Sequence, residues 1–261
     1  MSVQTHQSHP EVLNRRTLER DHRRLFEFLR PGMSVLDVGC GTGAITAGIA
    51  RHVGPEGWVV GLDSDPSLLS LAQSEHAHLP NLRFQSGDAL QLEFSEAFDV
   101  VTAARVLQWV KYPHVALTNM ARAARFNGRI IVLDYNHADN RWEPAPPREF
   151  TAFYYAFLDW RAASHWNNRM ASDLPRLFAA CGLADIHIHL DDETVTRLDP
   201  DFQRSAEIWA HVIDRLAPQM VESGHLEPAI AETAAGVYRQ YVGNTLYRQT
   251  LALKTVTGRK I

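Results

Sequence analysis

Apolar positions along the chain switch repeatedly between two periods. From Thr17 to Arg30, Leu18, Leu25, Phe26 and Leu29 recur near every 3.6 residues with charges between them, which predicts a helix. Pro31-Gly32 ends it. Ser34 to Val38 then reads as a short strand running into Gly39-Cys40-Gly41-Thr42-Gly43, followed by a helix over Ala44–His52 and a turn at Gly54-Pro55-Glu56-Gly57. Trp58 to Leu62 is a second strand closed by Asp63, and Pro66 to Ala77 a helix that starts on proline, where a missing N–H costs little. Leu82–Ser86 is a third strand, Phe98–Ala103 a fourth, Pro113–Arg125 a helix and Arg129–Asp134 a fifth strand after the Asn127-Gly128 turn. Strands that alternate with helices at this spacing imply a parallel sheet covered on both faces, because each crossover turns the same way. The expected fold class is α/β, doubly wound.

The pattern changes after Tyr135. Residues 136–148, with Pro144, Pro146 and Pro147, read as a loop, and Glu149 to Ala163 as an aromatic-rich helix. Asp173–Cys181 is a short helix stopped by Gly182, and Ala184–Leu190 alternates like a strand. A helical block follows over about 201–243, and Thr250–Thr257 closes the chain as a seventh strand. The reading is a core at 1–135, a helical lid insertion at 136–172, more core at 173–198, a helical cap at 199–246 and the last core strand at 247–261. Ile208, Trp209, Val212, Ile213 and Leu216 in the second block suit either a cap or a subunit contact, so a homodimer stays open.

Composition narrows the chemistry. The 261 residues carry a formal net charge of −4, which argues against a general basic surface for nucleic acid. No apolar run approaches about 18 residues, so no membrane span is expected, and the polar stretch Met1–Glu11 lacks the apolar centre of a secretory signal. Two cysteines, Cys40 and Cys181, give neither a disulfide framework nor a metal cluster, and a cytoplasmic protein without metal is expected.

The glycine-rich turn carries the chemistry. Glycines between a strand and a helix permit a tight turn and close approach of a ligand, beside the free N–H groups of the helix start. Gly39, Gly41 and Ala44 satisfy the G-x-G-x-x-G/A dinucleotide pattern, and Asp63 follows 19 residues later, so an NAD-dependent oxidoreductase is one reading. Asp37 speaks against it, since a carboxylate two residues before the first glycine would repel a pyrophosphate. A cofactor bearing an ammonium and a sulfonium would welcome it. Gly87-Asp88-Ala89 supplies another carboxylate at the carboxyl edge of the sheet, where an adenine amino group could donate to it.

Taken together, Val35-Leu36-Asp37-Val38-Gly39-Cys40-Gly41-Thr42-Gly43, Gly61-Leu62-Asp63, Gly87-Asp88-Ala89 and Phe98-Asp99-Val100-Val101 resemble the class I S-adenosylmethionine (SAM)-dependent methyltransferases. Leu107-Gln108-Trp109-Val110 and Ala121 to Arg129 fit later segments of that family. The resemblance implies a Rossmann-like, seven-stranded, mostly parallel sheet with SAM as cofactor. It implies that Gly39, Cys40 and Gly41 run along the methionine and ribose of SAM, that Asp37 lies near the methionine amino group, and that Asp63 takes the ribose hydroxyls with Ser64 beside the adenine. Asp88 would accept from the adenine amino group, with the Ala89 N–H facing the ring. The family's small polar residues after the fourth strand are replaced here by Ala103-Ala104-Arg105, and Arg105 either pairs with the cofactor carboxylate or is a solvated charge.

Methyl transfer is an in-line displacement that demands alignment, with a base only where the acceptor loses a proton. His137, just past the fifth strand, is the first candidate for a general base or acceptor contact. His165-Trp166-Asn167-Asn168, beside Trp160 and Arg161, is a second group, while Phe150, Tyr154 and Phe157 at helical spacing fit a core better than a pocket. A small organic acceptor methylated on O, N or C is the favoured reading. RNA or protein is the runner-up acceptor, disfavoured because no Lys/Arg cluster interleaves with aromatics and no Asn-Pro-Pro-Tyr type signature follows the fourth strand.

Overall fold

The computed structural model, which describes residues 10–261, sets the strand-forming runs side by side. The strands are β1 (Ser34–Val38), β2 (Trp58–Asp63), β3 (Leu82–Ser86), β4 (Phe98–Ala104), β5 (Ala124–Tyr135), β6 (Arg141–Glu143), β7 (Ala184–Leu190), β8 (Glu193–Thr196), β9 (Arg248–Leu251) and β10 (Leu253–Arg259). Seven of them form one sheet in the order β3-β2-β1-β4-β5-β10-β7. β1 pairs in parallel with β2 and β4, β2 with β3, and β4 with β5, whereas β10 runs antiparallel to β7. The sheet is the expected doubly wound, mostly parallel one.

Alternation along each strand decides which helix covers which face. Leu36 and Val38 of β1, with Val60, Val101, Ile130 and Val132, pack with the helices Pro113–Ala123 and Met170–Ala180 through Leu117, Met120, Met170, Leu174 and Phe178. Val35, Val59, Val100 and Ile131 point the other way and meet Leu18, Leu25, Ile45, Ile49 and Val53. Asp37 shares the parity of Val35, so its side chain belongs to the face covered by the helix Ala44–Val53.

The chain forms two compact units. The first comprises the described residues up to Asp134 with Met170–Leu190 and Lys254–Ile261, and it holds the large sheet. The second comprises Tyr135–Arg169 and Asp191–Leu253. It contains the helices Arg148–Ala163, Phe202–Ala206, Ile208–Glu222 and Pro228–Asn244 and a three-stranded antiparallel sheet, β6-β9-β8. Residues 191–198 and 247–253, assigned to the core by the sequence reading, lie in this second unit because β8 and β9 pair there.

Several elements depart from the periodic pattern for identifiable reasons. The helix expected over 17–30 breaks at His22 (φ −147°, ψ 49°), whose ring is buried and bonds Thr102 of β4 instead of continuing the helix. The final strand is interrupted at Ala252, whose N–H donates to Asn140 Oδ1 (2.8 Å) and whose carbonyl accepts from the Asn136 N–H (2.8 Å). The stretch 136–148, read as a loop, contains β6, three residues long and too short to show a period.

Candidate active site

β1 is buried along its whole length, and the chain leaves it through a turn that only glycine permits. Gly39 (φ 75°), Gly41 (φ 56°) and Gly43 (φ 77°) are all left-handed. A Cβ on Gly39 would lie 2.4 Å from Val106 Cγ2, and one on Gly43 2.5 Å from Phe84 Cζ, so space as well as torsion fixes these two positions. Gly43 caps the helix Ala44–Val53, its carbonyl accepting from the Ala47 N–H at 2.7 Å.

Four N–H groups of the turn are spent internally. Gly39 and Cys40 both donate to the Leu62 carbonyl (2.7 and 3.0 Å), Gly43 donates to the Cys40 carbonyl (2.9 Å), and Gly41 donates to Asp63 Oδ2 (2.7 Å). These four donors are therefore not offered to a pyrophosphate, which needs such groups. What the turn presents is carboxylate. Asp37, 3% exposed, accepts from Thr46 Oγ1 at 2.7 Å, and burial, with Asp63 nearby, pushes its carboxyl up to about 7. Asp63 accepts a second N–H from Asp65 (3.0 Å), and its carboxyl is raised mainly by burial while these N–H bonds pull it back. Burial, with Asp37 and Asp63 beside it, pushes the Cys40 thiol well up, so it stays protonated.

Asp88 follows β3. Its Oδ1 accepts from the Leu90 N–H (2.8 Å) and caps the short 3-10 turn Ala89–Gln91, and the segment is tied to β2 where Gly87 donates to the Asp63 carbonyl (3.0 Å). Asp88 and Ser64 are exposed, and Ala89 is half-buried. Arg105 follows β4 in a left-handed conformation (φ 64°), a strained geometry for a non-glycine residue. It is buried, and its guanidinium donates to the Asp21 carbonyl (3.1 Å) beside His22. Burial and Arg105 hold the His22 imidazole down to about 3; it is neutral and bonds Thr102 Oγ1 at 2.8 Å. Thr102 spends its own proton on the Ile131 carbonyl (2.8 Å), so His22 Nε2 is the donor.

Three residues of this region escaped the sequence reading. Asp65 is buried and caps the helix Pro66–His76 through Ser67 and Leu68; an Asp directly before a Pro-initiated helix was the available signal. Leu13 and Asn14 gave none. A Cβ on Gly41 would meet Leu13 Cδ1 at 3.0 Å, and Asn14 donates to Glu75 on the helix after β2 (3.1 Å), so the N-terminal segment packs against this turn.

In the second unit, His137 begins a 3-10 turn and is 6% exposed. Its ring stacks on Tyr135 (5.0 Å, 21°) and meets Phe157 and Trp209 edge-on at 5.7 and 6.1 Å. Burial and the Arg161 cation hold its imidazole well below the usual range, so it is neutral at physiological pH and a weak base. Arg161, wholly buried, donates to Asn168 Oδ1 (2.7 Å), and the Asn168 carbonyl accepts from the Ala138 N–H (3.4 Å). Phe150, Tyr154 and Phe157 are buried around Trp209, the core role expected for them.

Carboxylates at the ends of β1, β2 and β3 suit a ligand carrying an ammonium, a sulfonium, vicinal hydroxyls and an adenine amino group, the donor set of SAM. The sequence pattern of the methyltransferase domain matches residues 29–171, more than half of the chain. The chain belongs to the methyltransferase domain family. It is an S-adenosylmethionine-dependent methyltransferase with the Rossmann-like fold. It is 28% identical over 178 residues to demethylmenaquinone methyltransferase of Staphylococcus aureus (strain JH9), an alignment covering 61% of this chain and 71% of that protein. Similar folds occur in a SAM-dependent methyltransferase from Aquifex aeolicus (TM-score 0.54, 15% identity, 97% of this chain and 100% of the other). The same holds for Haemonchus contortus phosphoethanolamine N-methyltransferase 2 in complex with SAM (TM-score 0.58, 16% identity, 93% of this chain and 52% of the other). Among the described residues, no helix is long and apolar enough to cross a membrane.

Proposed function

We propose that this methyltransferase moves the methyl group of SAM to a small organic acceptor. The observation that carries the reading is the set of carboxylates, Asp37, Asp63, Asp65 and Asp88, at the ends of β1, β2 and β3, beside a turn in which the N–H groups of Gly39, Cys40, Gly41 and Gly43 are spent. Such an edge attracts a cationic cofactor and repels a polyanion, which favours a small acceptor over RNA and SAM over NAD. When bound, SAM supplies an activated methyl on a sulfonium, so the chain has to align and orient rather than activate.

In this reading Asp63 accepts from the ribose hydroxyls with Ser64 beside the adenine. Asp88 accepts from the adenine amino group while the Ala89 N–H faces the ring. The backbone of Gly39, Cys40 and Gly41 runs along the methionine and ribose, and Asp37 faces the amino-acid end, whose carboxylate pairs with Arg105. His137 serves the acceptor as a neutral imidazole, a hydrogen-bonding group rather than a proton store. The staphylococcal relatives are named for demethylmenaquinone, which makes a quinone-type ring the first acceptor to assay.

The test is a screen of extracted metabolites with SAM labelled in the methyl group. Label recovered in a small organic fraction supports the reading, and label confined to RNA or protein overturns it. Calorimetry with NAD and SAM side by side checks the cofactor: tight NAD binding without SAM binding would refute the assignment.

A further inference from the structure

The helix Ala44–Val53 buries a stripe made of Ile45, Thr46, Ile49, Ala50 and Val53 against the sheet. Four of the five are apolar, as a helix covering a parallel sheet requires. Thr46, completely buried, breaks the pattern, and a hydroxyl in such a place needs a partner. Its Oγ1 donates to Asp37 Oδ2 at 2.7 Å, the length of a strong bond to a carboxylate. Among the described residues this is the one hydrogen bond the Asp37 carboxylate receives.

We infer that Thr46 is a positioning residue for the cofactor: its hydroxyl fixes the Asp37 carboxylate, aimed for the methionine ammonium of SAM, and favours its ionised form over the protonated one. The inference rests on the placing of Asp37 at the ammonium end proposed above. Thr46 touches no ligand itself and acts through Asp37. A valine of the same shape would fill the stripe better, so the hydroxyl is kept at a cost in apolar contact.

The charge environment makes the arrangement consequential. Asp37 faces Asp63 from the end of β2, which in turn has Asp65 beside it, and the protonated Cys40 thiol from the turn. On the β4 side Thr102 is in register with it, with His22 and then Arg105 beyond. Near neutral pH the buried Asp37 carboxyl is balanced between its two forms, its midpoint held at about 7 against the pull of burial by the Thr46 bond. A cationic ammonium binds the ionised form and competes with the proton, so cofactor affinity should rise with pH up to this midpoint and then level. Loss of one hydrogen bond to a carboxylate moves such a midpoint upward by about one pH unit.

The experiment titrates S-adenosylhomocysteine, which keeps the ammonium, into wild type, Thr46→Val and Thr46→Ser by calorimetry from pH 5.5 to 8.5. Wild type should bind more tightly as pH rises and level off near pH 7. Thr46→Val should bind roughly fivefold more weakly at pH 7 yet within about twofold of wild type at pH 8.5, with its midpoint about one pH unit higher. Thr46→Ser should restore the wild-type profile. A Thr46→Val profile with the wild-type midpoint, at whatever affinity, overturns the proposal and leaves Thr46 a packing residue; so does failure of Thr46→Ser to restore the profile. Circular dichroism confirms folding, and Thr46→Ala replaces the valine variant if that does not fold. If wild type binds no S-adenosylhomocysteine at any pH, the cofactor reading itself fails, an outcome distinct from binding whose pH midpoint ignores Thr46.

Discussion

Replacing Asp37 by asparagine should stabilise the cofactor-free protein while it destroys cofactor affinity, and the gain should grow with pH. The carboxyl titrates at about 7 in the folded chain against 3.8 for the unstructured group, because it sits on a buried strand with only Thr46 donating to it. Below 3.8 both states are protonated and burial costs nothing. As pH rises from 3.8 to 7 the unfolded chain releases its proton while the folded chain keeps it, so stability falls, and above 7 the loss is constant. The full penalty is about 4 kcal/mol above pH 7 and about 2 kcal/mol at pH 5, at ~1.4 kcal/mol per pH unit. Asn accepts from Thr46 as Asp does and never ionises. Its extra N–H carries a cost that does not depend on pH, so the pH difference is cleaner than either value alone. At roughly 2–4 °C per kcal/mol for a protein of this size, the advantage in melting temperature should widen by about 4–8 °C between pH 5 and pH 8. Thermal unfolding of both proteins at pH 5, 6, 7 and 8, followed by circular dichroism, measures it, with S-adenosylhomocysteine affinity determined in parallel. An advantage that stays level across pH, or shrinks as pH rises, would mean that a raised Asp37 carboxyl does not destabilise the folded chain.

Asp63→Ala should weaken S-adenosylhomocysteine binding by more than tenfold, since it removes the ribose acceptor and frees the Gly41 N–H; near-normal affinity by calorimetry would sink the ribose assignment. Gly43→Ala puts a Cβ 2.5 Å from Phe84 Cζ at a φ of 77°, and urea unfolding should show a loss of about 1–3 kcal/mol. His137→Phe keeps the aromatic packing with Tyr135, Phe157 and Trp209, so the melting temperature should hold while kcat falls and cofactor affinity does not; an unchanged kcat would remove His137 from the acceptor side. Because His137 is neutral down to well below its ordinary range, wild-type kcat should show no limb near pH 6.5 that His137→Phe abolishes.

The sheet and its acidic carboxyl edge were legible in the sequence for one reason. Both are encoded by short-range rules: apolar runs of strand length, glycines where φ is positive, and acids at strand ends. What escaped depends on contacts between residues far apart. His22 leaves its helix for Thr102, 80 residues away, and nothing in the run Arg20 to Arg24 announces it. The left-handed turn at Arg105 has no glycine to mark it. The small sheet assembles from β6, β8 and β9, pieces of three and four residues separated by about fifty, and each is too short for a period. Thr46 lies between the two cases: a threonine in an apolar stripe is visible in the sequence, but its partner Asp37 follows only once strand parity and helix face are combined.

That combination explains how one turn can be both a rigid part of the fold and, as proposed above, a ligand site. The acids at the ends of β1 and β2 are partly or wholly out of water, and in the cofactor-free chain they are held by neutral donors, Thr46 Oγ1 and the N–H groups of Gly41 and Asp65, rather than by a cation. Neutral donors satisfy geometry but leave the desolvated negative charge uncompensated, which is why the Asp37 and Asp63 carboxyls are raised and not lowered. A ligand that brings positive charge to this edge offsets a cost the fold already carries, so part of its binding energy comes from relief of that cost. A structural ion pair, with a lysine or arginine in place of Thr46, would remove the cost and with it the proposed preference for a cationic cofactor. The buried hydroxyl is the compromise: strong enough to orient the carboxylate, and too weak to neutralise it.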